Sequence, residues 1–380
     1  MGFNTYCIGV GKAGICSLAP ICALDVKSGV KQISPLGLAS SKFDYDLADT
    51  LGIKEFVLPF LALTRLGIEN TGVGSDQHLA TEVAIEDGRR ILVKIKQDIE
   101  MNERKNSVYA ITLIGSLEEG TGGGAIPVLA KMIKDNFPEK LIVIMGILPE
   151  EQEGKISLAN VSRSLRVILK LKEMLSDKFV DCVFLFGKEN SGMYRASDFA
   201  ERQLAYTLNV LFSSIYGSRQ LDLGRKLSIL KDGCKEGIGM MRYTTIPWTD
   251  METDDLRSEI KRVLEKNLGE YPPGIVESGK YGIYQVRCDQ NIFPLDVRDI
   301  MSDIFKECLQ ESSSNNYVEI KGEMWLELEL DTMETATMIL GIDPARYEYL
   351  NKIKDMWKLL YDEEEVAKDI EQINNMEIII

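Results

Sequence analysis

At 380 residues the chain is too long for one average hydrophobic core, so two domains are expected. A formal net charge of −15 argues against general nucleic-acid binding, which rests on clustered Lys and Arg, but not against a nucleotide held by backbone N–H groups. Seven cysteines without CxxC pairs and a single histidine, His78, point to a reduced cytoplasmic setting and away from a zinc site or a Ser-His-Asp centre.

Along the chain, Thr5 to Gly9 reads as a strand, followed by a helix to about Val26 and a strand near Lys31 to Ile33. A long helix is expected from Glu82 to Met101, a strand from Val108 to Ile114, and an amphipathic helix from Val128 to Lys134. Leu141 to Met145 reads as a strand, Ser157 to Leu175 as a helix and Val180 to Phe186 as a strand. Apolar strands alternating with helix-period segments are the pattern of a parallel sheet covered by helices. From Ser197 to Tyr216 runs a mostly apolar helix, with hydrophobic residues on more than one face, expected to be buried between domains. Beyond about residue 235 the pattern turns β-rich, with Tyr281 to Val286 and Tyr317 to Leu330 around one helix from Val297 to Cys308, which reads as a smaller α+β domain. Ser312 to Asn316 is a polar loop. Pro344 to Asn375 reads as one charged helix, acidic at Asp362 to Glu365, before an apolar tip at Ile378 to Ile380. No apolar run approaches the roughly 18 residues of a membrane span.

The most informative stretch is 116–127, Ser-Leu-Glu-Glu-Gly-Thr-Gly-Gly-Gly-Ala-Ile-Pro, read as a glycine-rich turn between strand and helix. Glycines let backbone N–H groups approach an anion closely, and the following helix start adds unpaired donors and the positive end of its dipole. Thr121 is expected to cap that helix through its hydroxyl. A second such turn, Gly9-Val-Gly-Lys-Ala-Gly14, satisfies G-x-G-x-x-G and raises a Rossmann dinucleotide site, hence an NAD(P) oxidoreductase. That site also wants a carboxylate at the end of the second strand, where the sequence reads Pro35-Leu-Gly-Leu-Ala-Ser-Ser41 and no carboxylate appears until Asp44. A nucleotide pinned between two strand-to-helix turns uses both glycine loops. The P-loop pattern G-x-x-x-x-G-K-[ST] is absent.

These residues resemble the tubulin/FtsZ family of GTP-binding filament proteins. Gly120-Thr-Gly-Gly-Gly124 with Ala125-Ile-Pro127 looks like the family's GGGTGTGAAP loop, and Gly9 to Gly14 like its GVGGAGG loop. Gly72-Val-Gly-Ser-Asp-Gln77 is similar to the γ-phosphate-sensing loop, and Glu153-Gly-Lys155 to the ribose-side turn. The resemblance implies an α/β GTPase domain with a parallel sheet, a long central helix and a smaller α+β domain. The expected boundaries are 1–196, 197–217 and 218–345, then an acidic helix and tail over 346–380. It implies that Gly11, Lys12, Ala13, Gly74, Ser75, Gly120, Thr121, Gly122 and Gly123 surround the phosphates of GTP or GDP, with Mg²⁺ as a possible companion. Ser40 and Glu153 would sit near the ribose. Phe199 and Gln203, one helical turn apart, would hold guanine, Phe199 by stacking and Gln203 as donor and acceptor, with Asn190 as a second amide. Phe199 as a core residue, Asn190 as a turn former and Lys12 as a solvated surface lysine remain open readings.

Hydrolysis in the family occurs across a filament contact, where an N-x-D-x-x-D/E loop of one subunit meets the nucleotide of the next. The matching segment, Gln220-Leu-Asp-Leu-Gly-Arg225, keeps Asp222 as the catalytic acid but carries Arg225 in place of the second carboxylate, so turnover is expected to be slow or absent. Glu118 and Glu119 replace leading glycines and are expected to turn outward, because inward carboxylates would repel a triphosphate; Asp76 could serve as a metal-side ligand. Head-to-tail self-association into filaments is the expected assembly. The alternative is a non-polymerising nucleotide-sensing protein that docks a partner through its C-terminal tail.

Overall fold

The computed structural model describes residues 4–27, 33–103, 108–149, 154–173, 179–187, 204, 223–235, 237–247, 256–289, 297–312, 317–327, 332–357 and 363–376. It divides into two compact units, Met1–Ser213 with Lys352–Ile380, and Ser214–Asn351.

In the first unit, strands β1 (Asn4–Val10), β2 (Ile33–Ala39), β3 (Val57–Pro59), β4 (Val108–Ser116), β5 (Leu141–Ile147) and β6 (Cys182–Phe186) run parallel in the order β3-β2-β1-β4-β5-β6. The helices are α1 (Gly11–Lys27), α2 (Lys42–Thr50), α3 (Ala62–Leu66), α4 (Gln77–Glu103), α5 (Gly120–Asn136) and α6 (Lys155–Glu173). β4 and β5 are continuous apolar runs buried along almost their whole length, which a strand needs when it is covered on both faces. This is the α/β architecture expected from the alternating pattern. β1 pairs with β2 on one side and β4 on the other, so the strand order reverses there, and ligands of such sheets bind beyond the carboxyl ends at that point.

Several boundaries differ from the sequence reading. The glycine-rich stretch is the opening of α5 rather than a turn before it, because packing on every side replaces the intrinsic helix preference that glycine lacks. Pro127 therefore lies inside the helix. Having no N–H, it cannot bond the carbonyl of Gly123, and the Ser164 hydroxyl from α6 lies 3.2 Å from that oxygen. β2 starts where its expected strand ended, Pro35 and Gly37 being tolerated inside it, and α2, β3 and α3 complete the edge.

Asp87 of α4 anchors this edge. Its carboxylate, almost fully buried, accepts the backbone N–H of Leu61 at 2.6 Å and of Ala62 at 3.3 Å, supplying the cap that α3 lacks in its own sequence. Asp87→Ala is expected to cost about 1.5–3 kcal/mol, the range for hydrogen bonds to a charged group whose partners are then left buried. Urea titration reads this loss, and an unchanged midpoint would refute it.

In the second unit the strands are β7 (Ile238–Pro247), β8 (Tyr281–Asp289), β9 (Glu319–Glu327) and β10 (Thr332–Ile342). β10 is antiparallel to β7 and β8, and β9 is parallel to β8. Its helices include α7 (Leu223–Lys235), α8 (Leu256–Gly269), α9 (Ile275–Ser278) and α10 (Val297–Ser312), more than the single helix expected. α8 escapes notice because charges dominate its sequence, although Ile260, Val263 and Leu264 are fully buried. Beneath it Asn267, Thr337 and Tyr271 form a buried polar knot, in which Tyr271 donates to the Thr337 carbonyl at 2.5 Å and burial pushes the phenol pKa well up.

In the C-terminal segment, expected as one helix over Pro344 to Asn375, the described helices are α11 (Glu348–Trp357) and α12 (Glu363–Asn374). α12 lies against α5 and α6 with Val366, Ile373 and Met376 buried. Of the central helix expected over 197–217 only Leu204 is described, helical and buried. No helix among the described residues is long and apolar enough to cross a membrane.

Candidate phosphate-binding site

β1 and β4 are neighbours, and each delivers its glycine loop at its carboxyl end, so the two loops meet. Gly11 opens α1 with φ +70°, a conformation that favours glycine, and a Cβ placed on it would lie 3.0 Å from the Thr121 Cβ. Both α1 and α5 begin at this junction, and the N–H groups of a helix's first turn have no intrahelical acceptor. Two such turns side by side form a concentrated set of donors, reinforced by two dipole ends, suited to a polyanion.

Gly11, Gly120, Thr121, Gly122 and Gly123 are therefore brought together and are buried. Ala13 lies in the same first turn of α1. Ser40, at the end of β2, joins them: the Thr121 hydroxyl donates to Ser40 Oγ at 2.6 Å. Thr121 is thus not the cap of α5, since it already lies inside the helix and Glu119 holds the N-cap position. Gly74 and Ser75 are exposed, and their loop is tied in by the Gly120 N–H, which donates to the Gly74 carbonyl at 3.2 Å. Lys12 is exposed, its Nζ 5.7 Å from the ring centroid of Phe43. Glu153, Asn190, Phe199, Gln203 and Asp222 lie outside the described residues.

The acidic residues sit differently from expectation. Glu118 is buried rather than turned outward, with its Oε1 3.4 Å from the Ser116 hydroxyl. Asp76 accepts the Leu79 N–H at 3.0 Å and so caps the start of α4. Asp44, buried beside the cradle, has its pKa raised from 3.8 by burial, against the opposing effects of hydrogen bonds from Ser41 and Ser40 and the charge of Lys12.

The folded chain therefore holds the Asp44 proton more tightly than the unfolded chain. Stability falls as pH climbs from 3.8 through the folded value, and the cost is complete above it. Asp44→Asn is expected to raise the Tm at neutral pH and to leave it unchanged below pH 3.8. Thermal melts across that range decide it, and a lower Tm at neutral pH would show that the partners outweigh burial.

A set of side chains missed by sequence reasoning fixes the cradle from behind. Gln77, at the start of α4, donates through Nε2 to the Leu117 carbonyl at 3.0 Å and to that of Glu119 at 3.4 Å. Asn160 on α6 donates to the carbonyls of Ser75 at 3.0 Å and Glu118 at 2.8 Å, bridging the two loops. Ser164 Oγ lies 3.1 Å from the Leu117 oxygen, and Thr81 donates to the Gly124 carbonyl at 3.1 Å. Each is an ordinary polar residue on a helix. Only for Gln77, next to the glycine loop, did the sequence offer a signal.

A model of the Tubulin/FtsZ family, GTPase domain, matches residues 60–190. The chain is 25% identical over 332 residues to the tubulin-like protein CetZ of Methanothrix thermoacetophila, covering 84% of this chain and 83% of the relative. It is 29% identical over 170 residues to the tubulin-like protein CetZ3 of Haloferax volcanii, covering 45% of this chain and 36% of the relative. The match spans only about a third of the length of the Haloferax relatives. Among solved structures, the GDP-bound monomer of CetZ1 from Haloferax volcanii superposes with a TM-score of 0.74 at 19% identity, covering 95% of this chain and all of that one. The GTPγS-bound protofilament of CetZ2 from the same organism gives 0.74 at 17%, covering 98% and 100%.

Proposed function

We propose, from the chain's membership of the tubulin/FtsZ superfamily, that it binds GTP and GDP across the paired helix starts of α1 and α5 and assembles head to tail into cytoplasmic filaments. The observation that carries the reading is the contact between Gly11 and Thr121, which merges the two glycine loops into one anion cradle. Relatives of the same fold are GDP-bound or GTPγS-bound, and one of them is a protofilament, which supports both halves of the proposal.

Gly11, Lys12, Ala13, Gly120, Thr121, Gly122 and Gly123 hold the α- and β-phosphates, while Gly74 and Ser75 face the γ-phosphate. Ser40 and Glu153 contact the ribose. Phe199, Gln203 and Asn190 select guanine. Mg²⁺ would be held chiefly by phosphate oxygens and water. The NAD(P) reading is weakened by the residue after β2, which is Ser40 rather than the carboxylate that holds both ribose hydroxyls in a dinucleotide site.

Asp222 orients the attacking water in trans, and Arg225 keeps turnover low. Calorimetry with GDP, GTPγS and NADH tests the site: heat with the guanine nucleotides and none with NADH is expected, and the reverse overturns it. Sedimentation with GTPγS tests assembly. A protein that binds GTPγS yet stays in the supernatant is the non-polymerising sensor instead.

A further inference from the structure

α12 carries five carboxylates, Glu363, Glu364, Glu365, Asp369 and Glu371, and Asp369 is buried, with only 5% of its side chain exposed. A buried carboxylate is costly unless it is paired. Asp369 Oδ2 lies 2.7 Å from Nη2 of Arg163 on α6, itself 3% exposed, and Oδ1 lies 3.3 Å from Nδ1 of His78. Arg163 Nη2 is also 3.2 Å from that His78 nitrogen. The other arm of Arg163 donates through Nη1 to Gln77 Oε1 at 3.0 Å. Gln77 in turn spends its amide hydrogens on the carbonyls of Leu117 and Glu119, the residues leading into the first turn of α5.

An unbroken line of side chains thus joins the C-terminal helix to the backbone of the phosphate loop. Gln77 can hold that loop only while its amide keeps this orientation, with the oxygen toward Arg163 and the nitrogen toward the two carbonyls. Arg163 is held beside Asp369 by charge, the two lying at ion-pair distance without hydrogen-bond geometry at Oδ2. A second tie supports the docking, since Lys131 Nζ on α5 lies 3.5 Å from the Met376 carbonyl just beyond α12.

We infer that α12 is a positioning element of the phosphate site, acting through Asp369, Arg163 and Gln77, so that docking of this helix and occupation of the cradle favour one another. The inference rests on the guanine-nucleotide reading above. By linkage the effect runs both ways: whatever detaches α12 weakens phosphate binding, and bound nucleotide tightens α12. A protein or a neighbouring subunit that captured α12 would thereby promote nucleotide release.

The test is calorimetry of GDP and GTPγS with the full chain, comparing wild type, Asp369→Asn, Arg163→Gln and the double variant. Asp369→Asn is expected to raise Kd about 5- to 50-fold, within the range of measured couplings, with Asp369→Glu restoring part of the loss. The double variant should bind no more weakly than Arg163→Gln alone, because Asp369 acts through Arg163. Folded Asp369→Asn with wild-type affinity would overturn the inference. If the variants do not fold, hydrogen exchange of wild type decides: saturating GTPγS should slow the amides of 363–374, and unchanged exchange there overturns the coupling. Wild type that binds neither nucleotide refutes the nucleotide reading itself, whereas binding without coupling refutes only this inference.

Discussion

Gly122→Ala is expected to unseat α5 from β4, destabilise the first unit by about 1–3 kcal/mol or more, and abolish nucleotide binding. A Cβ at residue 122 would run into the carbonyl oxygen of Ser116 and lie 3.1 Å from that residue's carbon and nitrogen. All three obstacles are backbone, so no side chain can swing aside. Helix propensity points the other way, since alanine in a helix interior is favoured over glycine by roughly 1 kcal/mol. The sign of the measured change therefore separates the two effects. Gly269→Ala, at the end of α8 with open space around it, is the comparison and should be close to neutral. Paired urea titrations and a GDP binding isotherm read both consequences, and a Gly122→Ala protein as stable as wild type would refute the close-approach argument.

Arg225→Asp is expected to raise polymerisation-dependent phosphate release by about 10- to 100-fold, and Asp222→Asn to reduce it by about 10²-fold, the lower end of what a positioned acid or base contributes. The sequence offers Asp222 and, three residues on, a cation where a second carboxylate would polarise water. Residue 225 lies in the first turn of α7, where the helix dipole favours an anion, so Arg225→Asp should leave stability unchanged or raise it by about 0.3–1 kcal/mol. A gain in hydrolysis would then not reflect a loosened fold. Phosphate release at matched polymer mass, together with a thermal melt, separates the two. Turnover from Arg225→Asp no faster than wild type would refute the role proposed for Arg225.

Where apolar periodicity was strong, the fold was legible in the sequence. β1, β4, β5, β6 and α6 all lie where runs such as Leu141 to Met145 or the spacing over Ser157 to Leu175 placed them. Legibility failed where local preference and tertiary environment disagree. Gly120 and Gly122 to Gly124 have the poorest helix preference of any residue short of proline, yet they form helix because β4 and α4 press too close for side chains. Pro35 and Gly37 look like breakers but sit inside β2. The glycines of the candidate site could be found from sequence because close backbone approach leaves a compositional trace. Asn160, Arg163 and Asp369 left none, since their roles depend on which helix faces meet, and Gln77 was marked only by its place at the end of the Gly72 to Gln77 stretch. The same holds for Glu118, which is buried beside Ser116 rather than turned out to solvent.

The pairing of Asp369 with Arg163 bears on how this protein should be labelled for imaging. On the coupling inferred above, a fluorescent protein fused directly behind α12 would load the helix that holds Asp369 and is expected to weaken nucleotide binding without touching the nucleotide. An insertion at Gly52, exposed just beyond the C-terminal end of α2 and where an added Cβ meets nothing within 4 Å, offers a place for the tag outside both glycine loops.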